Sequence, residues 1–235
     1  MNIDKKILIS DYDKTFYLND ENIEINKKAV NKFRKEGNIF VIATGRSYFD
    51  FLNKVHMYNF EYDYVIINHG ATVLDKNDNV LANFFINNEI INNIKKDLQL
   101  DKSVKGFCCS KLESSIEFKH NDLTKINVRY NSKEVAMDIN KIINSKYSDY
   151  INSYHINENS LEIISNETNK SKAINLLLDK LNISKENVYT IGDGYSDIEM
   201  IKDFNGYAMV NSVDELRQVA IKEYKSVSDL IDKII

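Results

Sequence analysis

The chain has 235 residues and a formal net charge of −4 at pH 7, which allows one large domain or two small ones. The acidic balance argues against nucleic acid or an anionic membrane surface as the main partner. No apolar run approaches the roughly 20 residues that a membrane-spanning helix needs. Cys108 and Cys109 are the only cysteines and are adjacent, which disfavours a disulfide. With no signal-peptide pattern either, we expect a cytoplasmic protein.

The first part of the sequence alternates short apolar runs with amphipathic stretches. We predict strands at 6–10, 39–43 and 64–67, and helices at 26–36 and 48–56. Strand–helix–strand units of this kind imply parallel pairing with right-handed crossovers. This part of the chain is therefore typical of an α/β protein.

The pattern changes after residue 75. A polar turn cluster at 75–79 precedes predicted helices at 88–98 and 133–146 and predicted strands at 105–110, 114–119, 125–130, 150–156 and 161–165. Helices combined with short strands in this order indicate an α+β module. From residue 170 the alternation resumes, with helices predicted at 170–181, 198–202 and 213–222 and strands at 187–191 and 207–210.

These elements predict an α/β fold with an insertion. Residues 1–75 and 168–235 would form a doubly wound, parallel-sheet, Rossmann-like core, and residues 76–167 would form an inserted α+β cap domain. Inserted domains of this kind commonly lie over the active-site crevice as lids.

Two acidic clusters directly follow predicted strands at opposite ends of the chain. The first contains Asp11 and Asp13, and the second contains Asp193 and Asp197. In open α/β sheets, ligands bind beyond the carboxyl ends of the strands, and clustered carboxylates suit a hard cation such as Mg²⁺. One carboxylate of the first cluster could attack phosphorus while the other handles protons. Alternatively, Asp11 and Asp13 merely cap a turn, and Asp197 is an ordinary carboxylate in the first turn of a helix.

Two further features suggest an anion. Thr44 and Gly45 end a predicted strand before a helix, where a hydroxyl and free backbone N–H groups can receive a phosphate. Lys170 begins a helix, where its charge opposes the helix macrodipole. A bound anion would justify that lysine, although a solvated lysine is the plain alternative.

In this order, the stretches around Asp11, Thr44, Lys170 and Asp193 resemble the motifs of the haloacid-dehalogenase superfamily of phosphohydrolases. Residues 68–71 (Asn-His-Gly-Ala) and 206–212 resemble recurrent segments of its Cof-like branch, which carries an α+β cap between the second and third motifs. The resemblance implies Mg²⁺-dependent hydrolysis of a small phosphorylated metabolite, with neither nucleic acid nor membrane as partner, by a monomer or weak homodimer.

The resemblance also implies a role for each matching residue. Asp11 would form an aspartyl-phosphate, and Asp13 would serve as acid and base. Phosphate-binding groups would come from Thr44, Gly45 and Lys170. The Mg²⁺ ligands would be Asp11, Asp13 (through its backbone carbonyl), Asp193 and Asp197. Weaker candidates for orienting the substrate are Arg46, His69, Ser196 and Asn211.

The chain departs from the superfamily pattern at four positions. Lys14 and Ser171 stand where glycine is usual, and His69 and Ser196 stand where asparagine is usual. The change at Ser171 leaves open whether Lys170 or Lys172 is the catalytic lysine.

Two other functions are compatible with the same motifs. A phosphomutase would use the same aspartyl-phosphate but return the phosphoryl group to its substrate. A phospho-accepting signalling module, resembling response-regulator receivers, would also use an aspartate, a threonine and a lysine at strand ends. Asp13 and the large insertion argue against the signalling module.

Overall fold

The structure is a computed structural model that describes residues 5–115 and 122–235. Within those ranges the strands, in chain order, are β1 (Ile7–Ser10), β2 (Ile39–Ala43), β3 (Tyr64–Ile67), β4 (Thr72–Asp75), β5 (Val80–Asn83), β6 (Ser103–Ser110), β7 (Glu113–Ser115), β8 (Lys125–Tyr130), β9 (Ile151–Ile156), β10 (Ser160–Ser165), β11 (Val188–Gly192), β12 (Asn205–Met209) and β13 (Glu223–Tyr224). The α-helices are α1 (Asp20–Lys35), α2 (Tyr48–Tyr58), α3 (Asn88–Asp97), α4 (Lys133–Tyr147), α5 (Lys170–Leu181), α6 (Ile198–Asp203), α7 (Asp214–Arg217) and α8 (Val227–Ile234). None of these helices is long and apolar enough to cross a membrane.

The larger sheet has the strand order β13-β12-β11-β1-β2-β3-β4-β5. Its strands run parallel from β13 to β3, and β4 and β5 add antiparallel strands at one edge. Because side chains alternate along a strand, Leu8 packs in the cluster that contains α1, α2 and α8, whereas Ile7 and Ile9 pack in the cluster that contains α5, α6 and α7. The sheet is therefore covered by helices on both faces, and the predicted doubly wound α/β core is confirmed.

The smaller sheet has the order β7-β6-β8-β10-β9, and its neighbouring strands are antiparallel. One of its faces supplies Ile126, Val128, Leu161 and Ile163 to a separate core with helices α3 and α4. Helices on one face of an antiparallel sheet form an α+β unit, as predicted for the insertion.

The β4–β5 hairpin bears on where the insertion begins. Oδ1 of Asp75 accepts hydrogen bonds from the backbone N–H groups of Asn77 (2.8 Å) and Asn79 (3.0 Å), which closes a tight turn. The sequence predicted this turn but neither strand, and β5 belongs to the larger sheet. We therefore propose that the cap begins after Asn83, rather than at residue 76, and ends near Ser165.

Two helices differ from their predictions. Helix α1 begins at Asp20 rather than at residue 26, because the Asn19 side chain caps it by accepting from Asn22 N at 2.8 Å. The helix predicted at 213–222 is wrong beyond Arg217. After α7 the chain forms strand β13 beside β12, and Ser226 then caps α8.

The strand predicted at 114–119 is described only in part. Its described portion belongs to β7, which pairs with β6. Residues 116–119 lie outside the described ranges.

Candidate active site

The candidate site lies where the central strands of the larger sheet end. Strand β1 lies between β11 and β2, and all three run parallel. Pairing continues one residue past β1, since Asp11 N donates to Ile191 O at 3.0 Å. Asp11, Thr44 and Asp193 are the first residues after β1, β2 and β11. The sheet therefore brings the predicted nucleophile, phosphate-binding loop and metal ligand to one edge.

Three buried or partly buried carboxylates meet there. One oxygen each of Asp11, Asp193 and Asp197 can be chosen so that the three lie within 4.8 Å of one another. The buried ammonium of Lys170 bridges two of them, with Nζ 2.7 Å from Asp11 Oδ1 and 2.6 Å from Asp197 Oδ1. Lys172 instead points away and donates to Asn166 O at 2.8 Å. Lys170 is thus the lysine that lies against the carboxylates.

The buried cluster holds more negative than positive charge. Burial raises the pKa of Asp11 well above its usual value, against the opposing charge of Lys170. Burial and the charge of Asp197 raise the pKa of Asp193 to about 6. Burial alone would lower the pKa of Lys170, but the carboxylates of Asp11 and Asp197 outweigh it and raise that pKa. One ammonium does not offset three carboxylates.

The donor set fits a hard divalent cation. Carboxylate oxygens are the ligands that Mg²⁺ prefers, and the excess of negative charge would be relieved by a cation. Asp197 already uses both oxygens within the protein, because its Oδ2 accepts from Asp193 N (3.1 Å) and Gly194 N (3.0 Å). Asp11 Oδ2 has no hydrogen-bond partner among the described residues. Asp11 and Asp193 would therefore be better direct ligands for such a cation than Asp197, which accepts from Lys170 and from the backbone N–H groups of Asp193 and Gly194.

Gly192 makes this arrangement possible. A Cβ at position 192 would lie 2.6 Å from Cγ of Asp197, which is too close for any side chain to fit without displacing that carboxylate. The glycine that ends β11 thus permits the close approach of Asp197 to the backbone.

Asp13 does not join the carboxylate cluster. Its carboxylate forms a bidentate ion pair with Arg46, with Nη2–Oδ1 at 2.6 Å and Nε–Oδ2 at 2.8 Å, and the side chain is 48% exposed. This is the geometry expected for an arginine fork on a carboxylate. If Asp13 binds a metal, it would do so through its backbone carbonyl, because its carboxylate is paired with Arg46. Arg46, in turn, contacts Asp13 in this structure.

The loop Thr44-Gly45-Arg46 is braced by the residues that follow β3. His69 N donates to Thr44 O at 3.0 Å, and Asn68 N donates to Arg46 O at 3.0 Å. Asn68 and His69 both adopt positive φ, at 52° and 56°. The turn presses the His69 ring against Gly45, where an added Cβ would lie 2.5 Å from His69 Nε2. Position 45 therefore accepts only glycine while His69 stays in place.

A buried charged cluster beside this loop was missed by the sequence analysis. It comprises His69 together with Lys125 and Glu162 from the smaller sheet. Lys125 Nζ lies 2.6 Å from Gly45 O and 2.9 Å from Glu162 Oε1, and His69 Nε2 pairs with Glu162 Oε2. Burial lowers the pKa of His69, against the opposing charge of Glu162. Burial would raise the pKa of Glu162, but the charges of Lys125 and His69 hold it below its usual value.

Only Glu162 carried a signal in the sequence, as the one charged side chain of its strand, whereas Lys125 belongs to a strand in which polar and apolar residues alternate. Glu162 interrupts the apolar residues of β10, and Lys125 begins β8, both at positions buried in the structure. Buried charges require partners. The sequence does not say that those partners lie in the other sheet.

The carboxylates open into a cavity of about 1150 Å³ between the two sheets. Arg46, His69, Ser196 and Asn211 all line it. Asn211 Nδ2 donates to Lys14 O at 3.0 Å, and Lys14 has a φ of 62°. Glycine adopts a positive φ without strain. This explains why glycine is usual at the position of Lys14 in the haloacid-dehalogenase superfamily. The cavity is large enough for a metabolite-sized ligand.

Comparison of the sequence with known proteins agrees with this geometry. The sequence matches the family described as haloacid dehalogenase-like hydrolase over residues 8–114 and 102–230. It is 25% identical over 265 positions to a Buchnera aphidicola protein named "Putative phosphatase", covering 97% of each chain. It is also 27% identical to the 5-amino-6-(5-phospho-D-ribitylamino)uracil phosphatase of Bacillus subtilis, covering 93% of this chain and 89% of that protein.

The fold is shared with solved structures. A haloacid dehalogenase-like hydrolase from B. subtilis superposes with a TM-score of 0.85 at 16% identity, covering 98% of this chain and 100% of that one. The family match spans more than half of the chain, and the predicted superfamily and hydrolase class are confirmed. The chain belongs to the haloacid dehalogenase-like hydrolases, with the features of the Cof-like branch.

Proposed function

We propose that the protein is a Mg²⁺-dependent phosphatase that hydrolyses a small phosphorylated metabolite through a phosphoryl group carried on Asp11. The observation that carries the proposal is the position of Lys170, whose ammonium lies between Asp11 and Asp197 in a buried cluster. A carboxylate held in this way has a free oxygen for attack and a fixed cation beside it. Relatives named as phosphatases lend further support.

In the first step, one oxygen of the Asp11 carboxylate attacks phosphorus while the bond from phosphorus to the leaving oxygen breaks. Asp13 gives its proton to that oxygen, so that an alcohol departs. In the second step, Asp13 takes a proton from water, which attacks phosphorus and releases inorganic phosphate and the Asp11 carboxylate. Asp13 must leave its ion pair with Arg46 to serve in either step.

The remaining residues hold the phosphoryl group. The Thr44 hydroxyl and the Gly45 N–H donate to its oxygens, and Lys170 offsets the charge that gathers between Asp11 and those oxygens. Asp193 and Asp11 would hold Mg²⁺, which when bound supplies positive charge where negative charge develops in the transition state. Thr15 Oγ1 steadies Asp193 by donating to its Oδ1 at 3.0 Å.

The test is release of inorganic phosphate from a panel of phosphorylated sugars, nucleotides, cofactors and small acids, with and without Mg²⁺. The wild type should hydrolyse at least one class of ester, and chelation should abolish the activity. Asp11→Asn should lower kcat by at least about 10³-fold, roughly 4 kcal/mol, while the fold is retained by circular dichroism. Phosphorus NMR of the products identifies a mutase, which would yield an isomeric ester instead of free phosphate. Full activity of Asp11→Asn would refute the proposal.

A further inference from the structure

The phosphate-binding loop is not completed by the larger sheet alone. Each of its three successive carbonyl groups accepts a hydrogen bond. The carbonyls of Thr44 and Arg46 are held by backbone N–H groups of His69 and Asn68, which follow β3 of the same sheet. The carbonyl of Gly45 is held by Nζ of Lys125, which belongs to β8 of the smaller sheet. The middle contact thus crosses from one sheet to the other.

The contact between Lys125 and Gly45 is built into the smaller sheet. In the pairing of β8 with β10, Glu162 lies opposite Asn127, and Lys125 shares a face with Asn127 because side chains two residues apart point the same way. Glu162 Oε1 accepts from Lys125 Nζ at 2.9 Å and from Asn127 Nδ2 at 2.9 Å. The Lys125 side chain is only 1% exposed. Its ammonium is therefore fixed rather than free to swing in solvent.

Fixing the Gly45 carbonyl has a geometric consequence for the loop. In a trans peptide, the C=O and the following N–H point in opposite directions. The bond from His69 N to Thr44 O sets the direction of the Gly45 N–H. The bond from Lys125 to Gly45 O points the Arg46 N–H the opposite way, and that N–H donates to Thr44 Oγ1 at 3.1 Å. Glycine has more backbone freedom than any other residue. Gly45 is thus the position of the loop that most needs both of its peptide groups held.

The cost of burying these charges points in the same direction. A buried lysine and a buried glutamate are seldom retained for stability alone, since an apolar pair of similar volume often does as well. Here the ammonium contacts a backbone carbonyl of the phosphate-binding loop, and its partner Glu162 also pairs with His69, which packs against Gly45. Both charges therefore converge on the same glycine from the smaller sheet.

We infer that Lys125 is a positioning residue for phosphoryl transfer, which sets the phosphate-binding conformation of Gly45 only when the smaller sheet is docked on the larger one. Glu162 holds Lys125 in place for this purpose. Docking of the smaller sheet and phosphate binding are consequently coupled, even for substrates too small to touch the cap. This inference rests on the proposed phosphatase function.

The test compares Lys125→Met with Lys146→Met. Lys146 lies on helix α4, which packs on the smaller sheet, and it pairs with the carboxylate of Asp97 at 2.9 Å. It has no contact with the loop Thr44-Gly45-Arg46 among those that the structure describes. The probes are inorganic phosphate, as an inhibitor and in calorimetry, and p-nitrophenyl phosphate, a small ester. Lys125→Met should weaken phosphate binding and lower kcat/KM for this ester by at least tenfold, whereas Lys146→Met should change neither by more than twofold. Unchanged phosphate affinity in a folded Lys125→Met protein would overturn the inference.

A second variant guards against simple loss of stability. In Lys125→Met/Glu162→Gln no buried carboxylate is left unpaired, so the thermal midpoint should recover relative to Lys125→Met. Phosphate affinity should stay low, because nothing holds the Gly45 carbonyl. Recovery of both stability and phosphate affinity would show that the ion pair is only structural. A wild type that neither hydrolyses esters nor binds phosphate would instead overturn the proposed function, and this inference with it.

Discussion

The Nζ atom of Lys170 lies 2.7 Å from Oδ1 of Asp11, although the two residues are 159 positions apart in the chain. The contact exists because α5 packs in the same apolar cluster as Ile7 and Ile9 of β1 and begins directly at Lys170. Asn169 caps that helix by accepting from Lys172 N at 2.8 Å, which fixes where the helix starts. The register of one helix thus decides which of two lysines reaches the carboxylates.

Lys170→Met and Lys172→Met form a matched pair. Removing one partner of a buried ion pair costs about 3–5 kcal/mol, so Lys170→Met should lower the thermal midpoint by roughly 10 °C at neutral pH and abolish phosphate release. Lys172 is exposed, and its replacement should change stability by less than about 0.5 kcal/mol. Calorimetric scans and a phosphate-release assay check both. Equal effects of the two variants would contradict the assignment of Lys170.

The raised pKa of Asp193 predicts how stability depends on pH. Its folded-state value of about 6 exceeds the ordinary value of about 3.9. The stabilisation from this group is therefore fully present below about pH 4 and is lost as pH rises through 6. Thermal unfolding measured without metal checks this. As the pH rises from about 4 to above 6, the thermal midpoint of the wild type should fall relative to that of Asp193→Asn.

Mg²⁺ should reverse that trend, because it binds the ionised carboxylate and must displace the proton at low pH. The increase in thermal midpoint on adding Mg²⁺ should be larger at pH 7.5 than at pH 5, and small at both in Asp193→Asn. An increase of equal size at both pH values would speak against Asp193 as a metal ligand.

Asp13→Asn should separate the two chemical steps. Loss of the acid and base should lower kcat by about 10²–10⁴-fold. With p-nitrophenyl phosphate the leaving group needs little protonation, so Asp11 should still be phosphorylated and the phosphoenzyme should accumulate. Acid quench followed by intact-mass spectrometry detects the adduct, and Asp11→Asn/Asp13→Asn is the blank. Normal turnover without an adduct would exclude Asp13 from this role.

Gly45→Ala tests the packing of the phosphate-binding loop. The new methyl group would collide with the His69 ring, which is itself tied to Glu162. We expect kcat/KM for p-nitrophenyl phosphate to fall at least tenfold. Asparagine tolerates the positive φ of position 69 and is smaller, so Gly45→Ala/His69→Asn should regain part of the loss. A Gly45→Ala enzyme with wild-type kinetics would show that the ring moves freely.

Much of this architecture was readable from local patterns. The acidic residues after β1 and β11 and the glycines near them mark strand ends, and their order along the chain pointed to the family. The start of α1 was misplaced because its apolar periodicity is sparse, although Asn19 was a readable cap signal. The helix predicted at 213–222 was extended too far towards β13. That strand is only two residues long and is stabilised by its pairing with β12, so it leaves no pattern in the sequence.

The partners of individual charges could not be predicted, because they depend on how elements far apart in sequence pack. Asp13 and Arg46 are 33 positions apart, and we predicted for each a role towards the substrate rather than an ion pair with the other. Lys125 and Glu162 come from the smaller sheet, and the Gly45 carbonyl that Lys125 contacts lies 80 positions away in the chain. Tertiary packing decides such pairs, and spacing alone does not.

The central place of β1 in the larger sheet also governs the order in which the chain can fold during synthesis. Strand β2 is available to β1 early, but its other neighbour, β11, begins only at Val188. The inserted α+β unit has its own apolar core, and its last strand, β10, ends at Ser165, before β11 begins. It can therefore fold while β1 still has an open, aggregation-prone edge. A chain that ends between residues 165 and 188 would therefore contain the whole insertion but lack the strand that covers this edge of β1.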